Sequence, residues 1–110
     1  MSFEITLTQS FRRNLKPLVK RFASIVSDLV GLEEELLSNP QTGEALGRDC
    51  FKVRMRIKSK STGKSGGARV ITCVKIVGEK IYLLTIYDKS ERATITDQER
   101  DALLKENGLL

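Results

Sequence analysis

The segment Cys50-Phe51-Lys52-Val53-Arg54-Met55-Arg56-Ile57-Lys58 alternates apolar and cationic residues along its length. Period-two alternation marks a β-strand with two unlike faces, because successive side chains point to opposite sides. Phe51, Val53, Met55 and Ile57 then face a core, while Lys52, Arg54, Arg56 and Lys58 share the other face. Like charges two residues apart repel and add nothing to folding. Cations on an exposed strand discourage edge association. Four of them with no acid nearby exceed that need, and the row points to a phosphate-bearing partner.

Working outward, two more strands follow, over about Asp49–Lys58, Ala68–Val77 and Lys80–Asp88 in all, with Gly78-Glu79 as a tight connection between the last two. Ser59–Gly67, SKSTGKSGG, reads as a flexible basic loop. Upstream, Pro40–Gly47 reads as a loop, and Phe3–Thr8 alternates as a short strand. Gln9–Phe22 carries the helical stripe Phe11, Leu15, Leu18, Val19 and Phe22, with Arg12, Arg13, Lys16 and Lys20 outward. Pro17 predicts a kink or break near Lys16. A second helix runs from Ser24, its N-cap, to Ser38, before Asn39-Pro40. Its stripe is Ile25, Leu29, Leu32 and Leu36, widened by Val26, Val30 and Leu37. Thr96–Glu106 is a short final helix with Thr96 and Glu99 in capping-box spacing and Gly108 beyond its end. The order β-α-α-β-β-β-α makes residues 1–110 one α+β domain: an N-terminal strand, a helical hairpin packed on an antiparallel sheet, and a short C-terminal helix. The second sheet face then need not be covered and is free for function.

The 110 residues hold no histidine, and the two cysteines, Cys50 and Cys73, have no CxxC spacing. A zinc site is thereby disfavoured, and both cysteines read as buried, reduced thiols. No apolar run spans a bilayer, and the N-terminus lacks the pattern of a signal peptide, so a cytoplasmic protein without a membrane role is expected. Charge is uneven. Cys50–Arg92 carries 11 Lys and Arg against 3 Asp and Glu, whereas the other 67 residues carry 8 against 11. A basic half on a mildly acidic remainder points first to nucleic acid. Arg69 opens the second strand of the meander just after Gly66-Gly67, glycines that allow close backbone approach to a phosphate. Lys60 and Lys64 extend the positive field, and the segment Tyr87-Asp88-Lys89-Ser90-Glu91-Arg92 closes the same end of the sheet. The few aromatics argue against a multi-base stacking platform.

The stretches GRDCFKVRMRIKSKSTGKSGGARVITCVKI and KIYLLTIYDKSER resemble the RelE/ParE superfamily of type II toxin–antitoxin toxins, nearest to its RelE and HigB-like branch. The resemblance implies a ribosome-dependent mRNA endonuclease acting in the A site. A 2′-hydroxyl is the nucleophile, a 2′,3′-cyclic phosphate is left, and neither metal nor other cofactor takes part. By position, Lys52 is the candidate general base, Arg54 a phosphate clamp, Arg69 the transition-state stabiliser, and Lys89 a further catalytic cation. Crowding by Arg54 and Arg56 favours loss of the Lys52 proton. Arg56, Lys58, Lys60, Lys64, Tyr87, Ser90 and Arg92 are candidate RNA contacts. The chain departs from the family pattern twice. The acid arginine falls on Ser90, with Arg92 two residues on, and the C-terminal tyrosine falls near Ile95 or Thr96. The implied partners are a cognate antitoxin, in a heteromeric complex, and the ribosome with its mRNA. The alternatives are a ParE-like gyrase inhibitor and a catalytically inactive RNA-binding relative.

Overall fold

The computed structural model describes residues 2–60 and 66–110. It contains β1 (Glu4–Leu7), α1 (Gln9–Arg21), α2 (Ile25–Ser38), β2 (Glu44–Gly47), β3 (Cys50–Met55), a 3-10 turn (Lys58–Lys60), β4 (Ala68–Lys75), β5 (Lys80–Asp88) and α3 (Asp97–Glu106). The sheet order is β1-β5-β4-β3-β2. Only β1 pairs parallel, with β5, and the other neighbours are antiparallel.

The segment expected to be a loop, Pro40–Gly47, contains β2. Glu44 pairs with Lys52 and Ala45 with Phe51, and Gly47 pairs with Cys50 after a bulge. Arg48 and Asp49 form the two-residue turn, both with positive φ, at 53° and 63°. That is the twist a two-residue hairpin requires. Arg-Asp is not a sequence that announces such a turn, and four residues without β-branched side chains announce no strand.

Helix α1 runs unbroken through Pro17. Phe11 and Leu18, both buried, lie on either side of the proline. Their packing outweighs the local cost of the missing amide. Thr8 caps the helix: its hydroxyl accepts from Phe11 N at 3.2 Å and donates to Leu83 O at 2.7 Å. In α2 the stripe Ile25, Leu29, Leu32 and Leu36 is buried, but Val26, Val30 and Leu37 are about half exposed and do not widen it. The sheet accepts a single narrow ridge from this helix. Ser24 stands at the N-cap without bonding the helix backbone. Its hydroxyl instead donates to Asp28 Oδ2 at 2.7 Å.

Phe51, Val53, Met55 and Ile57 face the two-helix side as the alternation demands, packing with Val70, Leu83 and Ile86. The other face is not left open. Cys50, Ile71, Cys73 and Leu84 lie beneath Ile95 and Leu104, so α3 covers one half of it. Cys50 and Cys73 are free thiols, directly opposed across β3 and β4. The hydrogen bond between them pushes the Cys50 thiol up, with burial adding to it, and pulls the Cys73 thiol down.

The expected capping box of α3 forms: Thr96 Oγ1 accepts from Glu99 N at 3.1 Å, and Glu99 Oε1 accepts from Thr96 N at 2.9 Å. The same carboxylate meets Arg92 Nη2 at 2.7 Å. Arg92 foremost, then the Thr96 amide, lower the Glu99 pKa from 4.5 to about 2. A carboxyl whose folded pKa is depressed stabilises the fold above its unfolded pKa and ceases to do so as pH falls through the folded one. Acid titration of unfolding should therefore show stability draining between about pH 4.5 and pH 2. Glu99→Gln should flatten that slope and lower stability by a constant small amount above about pH 6. The side chain is 43% exposed, so the amplitude is small.

Candidate functional site

The half of the second face that α3 leaves uncovered carries the basic residues. Registration across three strands places Arg54 opposite Arg69 and Arg69 opposite Tyr87. Lys52 lies two residues back along β3, on the same side. Lys52, Arg54, Arg69 and Lys89 line one cleft of about 600 Å³, together with Glu35, Thr42, Gly43 and Glu44. All four residues expected to be catalytic thus share a single opening, although they come from three segments of the chain.

Their environments differ. Arg54 is exposed. Arg69 is only 5% exposed, and its Nη1 donates to Ala68 O at 3.1 Å. Burial, with the Arg54 guanidinium second, holds Arg69 below the usual arginine range. A desolvated cation crowded by another gains from an arriving anion more than a solvated one does. Lys52 is mostly buried, and its Nζ lies 3.4 Å from Glu44 Oε1. Neither Glu44 nor Glu35 was foreseen at this cleft. Glu44 sits on the strand that reads as loop, and Glu35 lies on α2 outside its apolar stripe. Among the described residues no group of three or more acidic or cysteine side chains converges as a metal-ligand set.

The remaining candidates divide. The expected strand Asp49–Lys58 ends at Met55. Arg56 and Lys58 therefore leave the ladder, because Lys58 N donates to Asp28 Oδ2 at 3.2 Å and draws the chain toward α2. Both line a neighbouring cavity of about 230 Å³ that shares Arg54 and Glu35 with the cleft. Lys60 turns inward, with its Nζ 2.7 Å from Asp88 Oδ1 and 3.1 Å from Gly66 O. Lys64 lies outside the described residues. Ser90 is exposed, and its N donates to Asp88 Oδ1 at 3.0 Å. Tyr87 and Arg92 line a separate cavity of about 310 Å³ next to α3. There the Arg92 guanidinium lies 5.3 Å from the Tyr87 ring centre, and the phenol donates to Ala93 O at 3.3 Å. Burial raises the Tyr87 pKa, partly opposed by Arg92 and Arg69. Ile95 is buried in the second core and Thr96 caps α3, so neither offers a substitute for a C-terminal tyrosine.

Gly67 is not spare room for a ligand. A Cβ there would lie inside the Met55 carbonyl and 3.0 Å from Ile57 N. The missing side chain makes way for the chain's own strand.

A family model described as the RelE toxin of the RelE/RelB toxin–antitoxin system matches residues 27–108. The chain belongs to this family. It is the toxin of a toxin–antitoxin pair, and membership implies an antitoxin partner. The structure of a mutant of E. coli toxin RelE in the free state superposes with a TM-score of 0.62 at 17% identity. The match covers 96% of this chain and 98% of that one, so the shared fold extends over the whole RelE-family domain. Among the described residues, no helix of this RelE-family toxin is long and apolar enough to cross a membrane.

Proposed function

We propose that this toxin is a ribosome-dependent, metal-independent endoribonuclease that cuts translated mRNA in the A site and so inhibits translation in the cytoplasm. The carrying observation is the convergence of Lys52, Arg54, Arg69 and Lys89 on one cleft. In the reaction the 2′-oxygen bonds to phosphorus and the bond from phosphorus to the 5′-oxygen breaks. The 2′-proton passes to Lys52 as the general base, and the departing 5′-oxygen takes up a proton from water. A 2′,3′-cyclic phosphate and a 5′-hydroxyl result. Negative charge grows on the non-bridging oxygens, where Arg54 and the preorganised Arg69 stabilise it. Lys89 adds positive potential at the rim. Glu44 lies 3.4 Å from the Lys52 Nζ and helps to place it.

A binding-only reading is favoured by one observation: Ile95 and Thr96 occupy the region where the family tyrosine falls, and both serve the fold. Induction of the chain in cells followed by mapping of mRNA 5′ ends decides between them. Cuts within translated codons are expected. Growth arrest with gyrase-trapped DNA breaks and intact mRNA would replace the nuclease reading with gyrase inhibition. Ribosome association without cuts or arrest would leave binding alone.

A further inference from the structure

Asp88 ends β5 and is 2% exposed. A buried carboxylate survives only when paired, and this one is paired three times. Oδ1 accepts from Lys60 Nζ at 2.7 Å and from Ser90 N at 3.0 Å, and Oδ2 accepts from Arg21 Nη2 at 3.0 Å. Burial raises the carboxyl pKa, but Lys60 and Ser90 outweigh burial and leave it lowered. The three partners belong to three segments, one of which borders the cleft through Lys89. Lys60 also donates to Gly66 O at 3.1 Å, three residues before Arg69. Ser90 follows Lys89, whose N donates to Gly67 O at 3.0 Å. The carboxylate therefore ties the backbone entering Arg69 to the backbone carrying Lys89.

We propose that Asp88 is the positioning residue of the cleft, using Lys60 as a strut to hold Arg69 and Lys89 at a fixed separation. Asp88 touches no substrate; it acts through the two loops. Lys60 then serves the site from within instead of as an RNA ligand. The proposal rests on the nuclease reading for its catalytic consequence, but not for the tether itself.

Arg21 supplies the control. It reaches the same carboxylate from α1, is 47% exposed along its side chain, and also pairs with Glu91, so it bears on the segment that carries Lys89 and not on the backbone entering Arg69. Purified Lys60→Met, Asp88→Asn and Arg21→Met proteins are compared with the wild type in four measurements. These are single-turnover cleavage on saturating ribosome–mRNA complexes, ribosome binding, thermal unfolding, and hydrogen exchange at the Lys89 and Ser90 amides. A misplacement near 1 Å costs on the order of 10²-fold in rate, so Lys60→Met and Asp88→Asn should lose about that much. Ribosome affinity should move by less than about threefold, since no substrate contact is removed. Arg21→Met should lose far less rate than either, and the Lys89 and Ser90 amides should exchange more slowly in it than in Lys60→Met. Rate losses that simply track the fall in Tm across all three variants would overturn the proposal, as would a Lys60→Met protein with wild-type rate and protection. A wild type that cuts nothing would instead sink the nuclease reading, and amide exchange would still decide the tether.

Discussion

If the chain cuts mRNA as proposed, Lys52→Ala and Arg69→Ala should each lower A-site cleavage by on the order of 10²–10³-fold and relieve any growth arrest on induction. The two losses arise differently. Lys52 is the candidate acceptor of the 2′-proton, and alanine removes it while leaving Glu44, whose carboxylate lies 3.4 Å from the Lys52 Nζ. The rate of Lys52→Ala should therefore climb with pH, as hydroxide takes over the role, while that of Arg69→Ala should stay uniformly low. Arg69 is almost wholly buried and held between Arg54 and Tyr87 in register, so its orientation is set before substrate arrives. Arg69→Lys keeps the charge but not the planar fork and should recover only part of the loss. Cleavage is read by primer extension on a programmed ribosome, with thermal melts to verify that each variant is folded. Wild-type cleavage by folded Lys52→Ala or Arg69→Ala would remove these residues from the mechanism.

Gly67→Ala should destabilise the protein by about 1–3 kcal/mol or more and weaken cleavage with it. The atoms a Cβ would meet are backbone: the Met55 carbonyl, Arg56 Cα at 3.1 Å and Ile57 N at 3.0 Å. None can swing aside as a side chain would. Either β3 or the start of β4 must move, and the pair Met55–Ala68 lies next to Arg54–Arg69. The clash therefore reaches the cleft directly. Gly31→Ala is the contrast. Nothing lies within 4 Å of a Cβ at that position in α2. Alanine there should stabilise by about 0.5–1 kcal/mol through its better helix propensity. Denaturant unfolding of the two variants should thus shift in opposite directions.

Much of the architecture was legible because single segments carried it. The alternation of Phe51–Ile57 gave β3 its faces, the spacing Ile25–Leu29–Leu32–Leu36 set the buried ridge of α2, and Thr96 with Glu99 set the start of α3. Short or context-dependent features were not. The β2 strand exists because Lys52 and Phe51 offer it a ladder, not because Glu44–Gly47 favours extension. Pro17 is tolerated because Phe11 and Leu18 are anchored on either side of it. Val26, Val30 and Leu37 look like core until the sheet is seen to take one ridge.

The candidate site divides along the same line. That Lys52, Arg54 and Arg69 point one way follows from period two and from strand order, both written in the chain. Which lysine meets solvent and which meets a carboxylate does not. Lys58 and Lys60 belong to one basic run, yet Lys58 is exposed and Lys60 is sealed against Asp88, 28 residues later. Local sequence determines which side of a strand a residue occupies, because backbone geometry alone sets that. Whether the side remains open, and which opposite charge waits there, depends on segments distant in sequence. For this toxin α3 and Asp88 settled both, since burial and ion pairing are properties of the assembled chain.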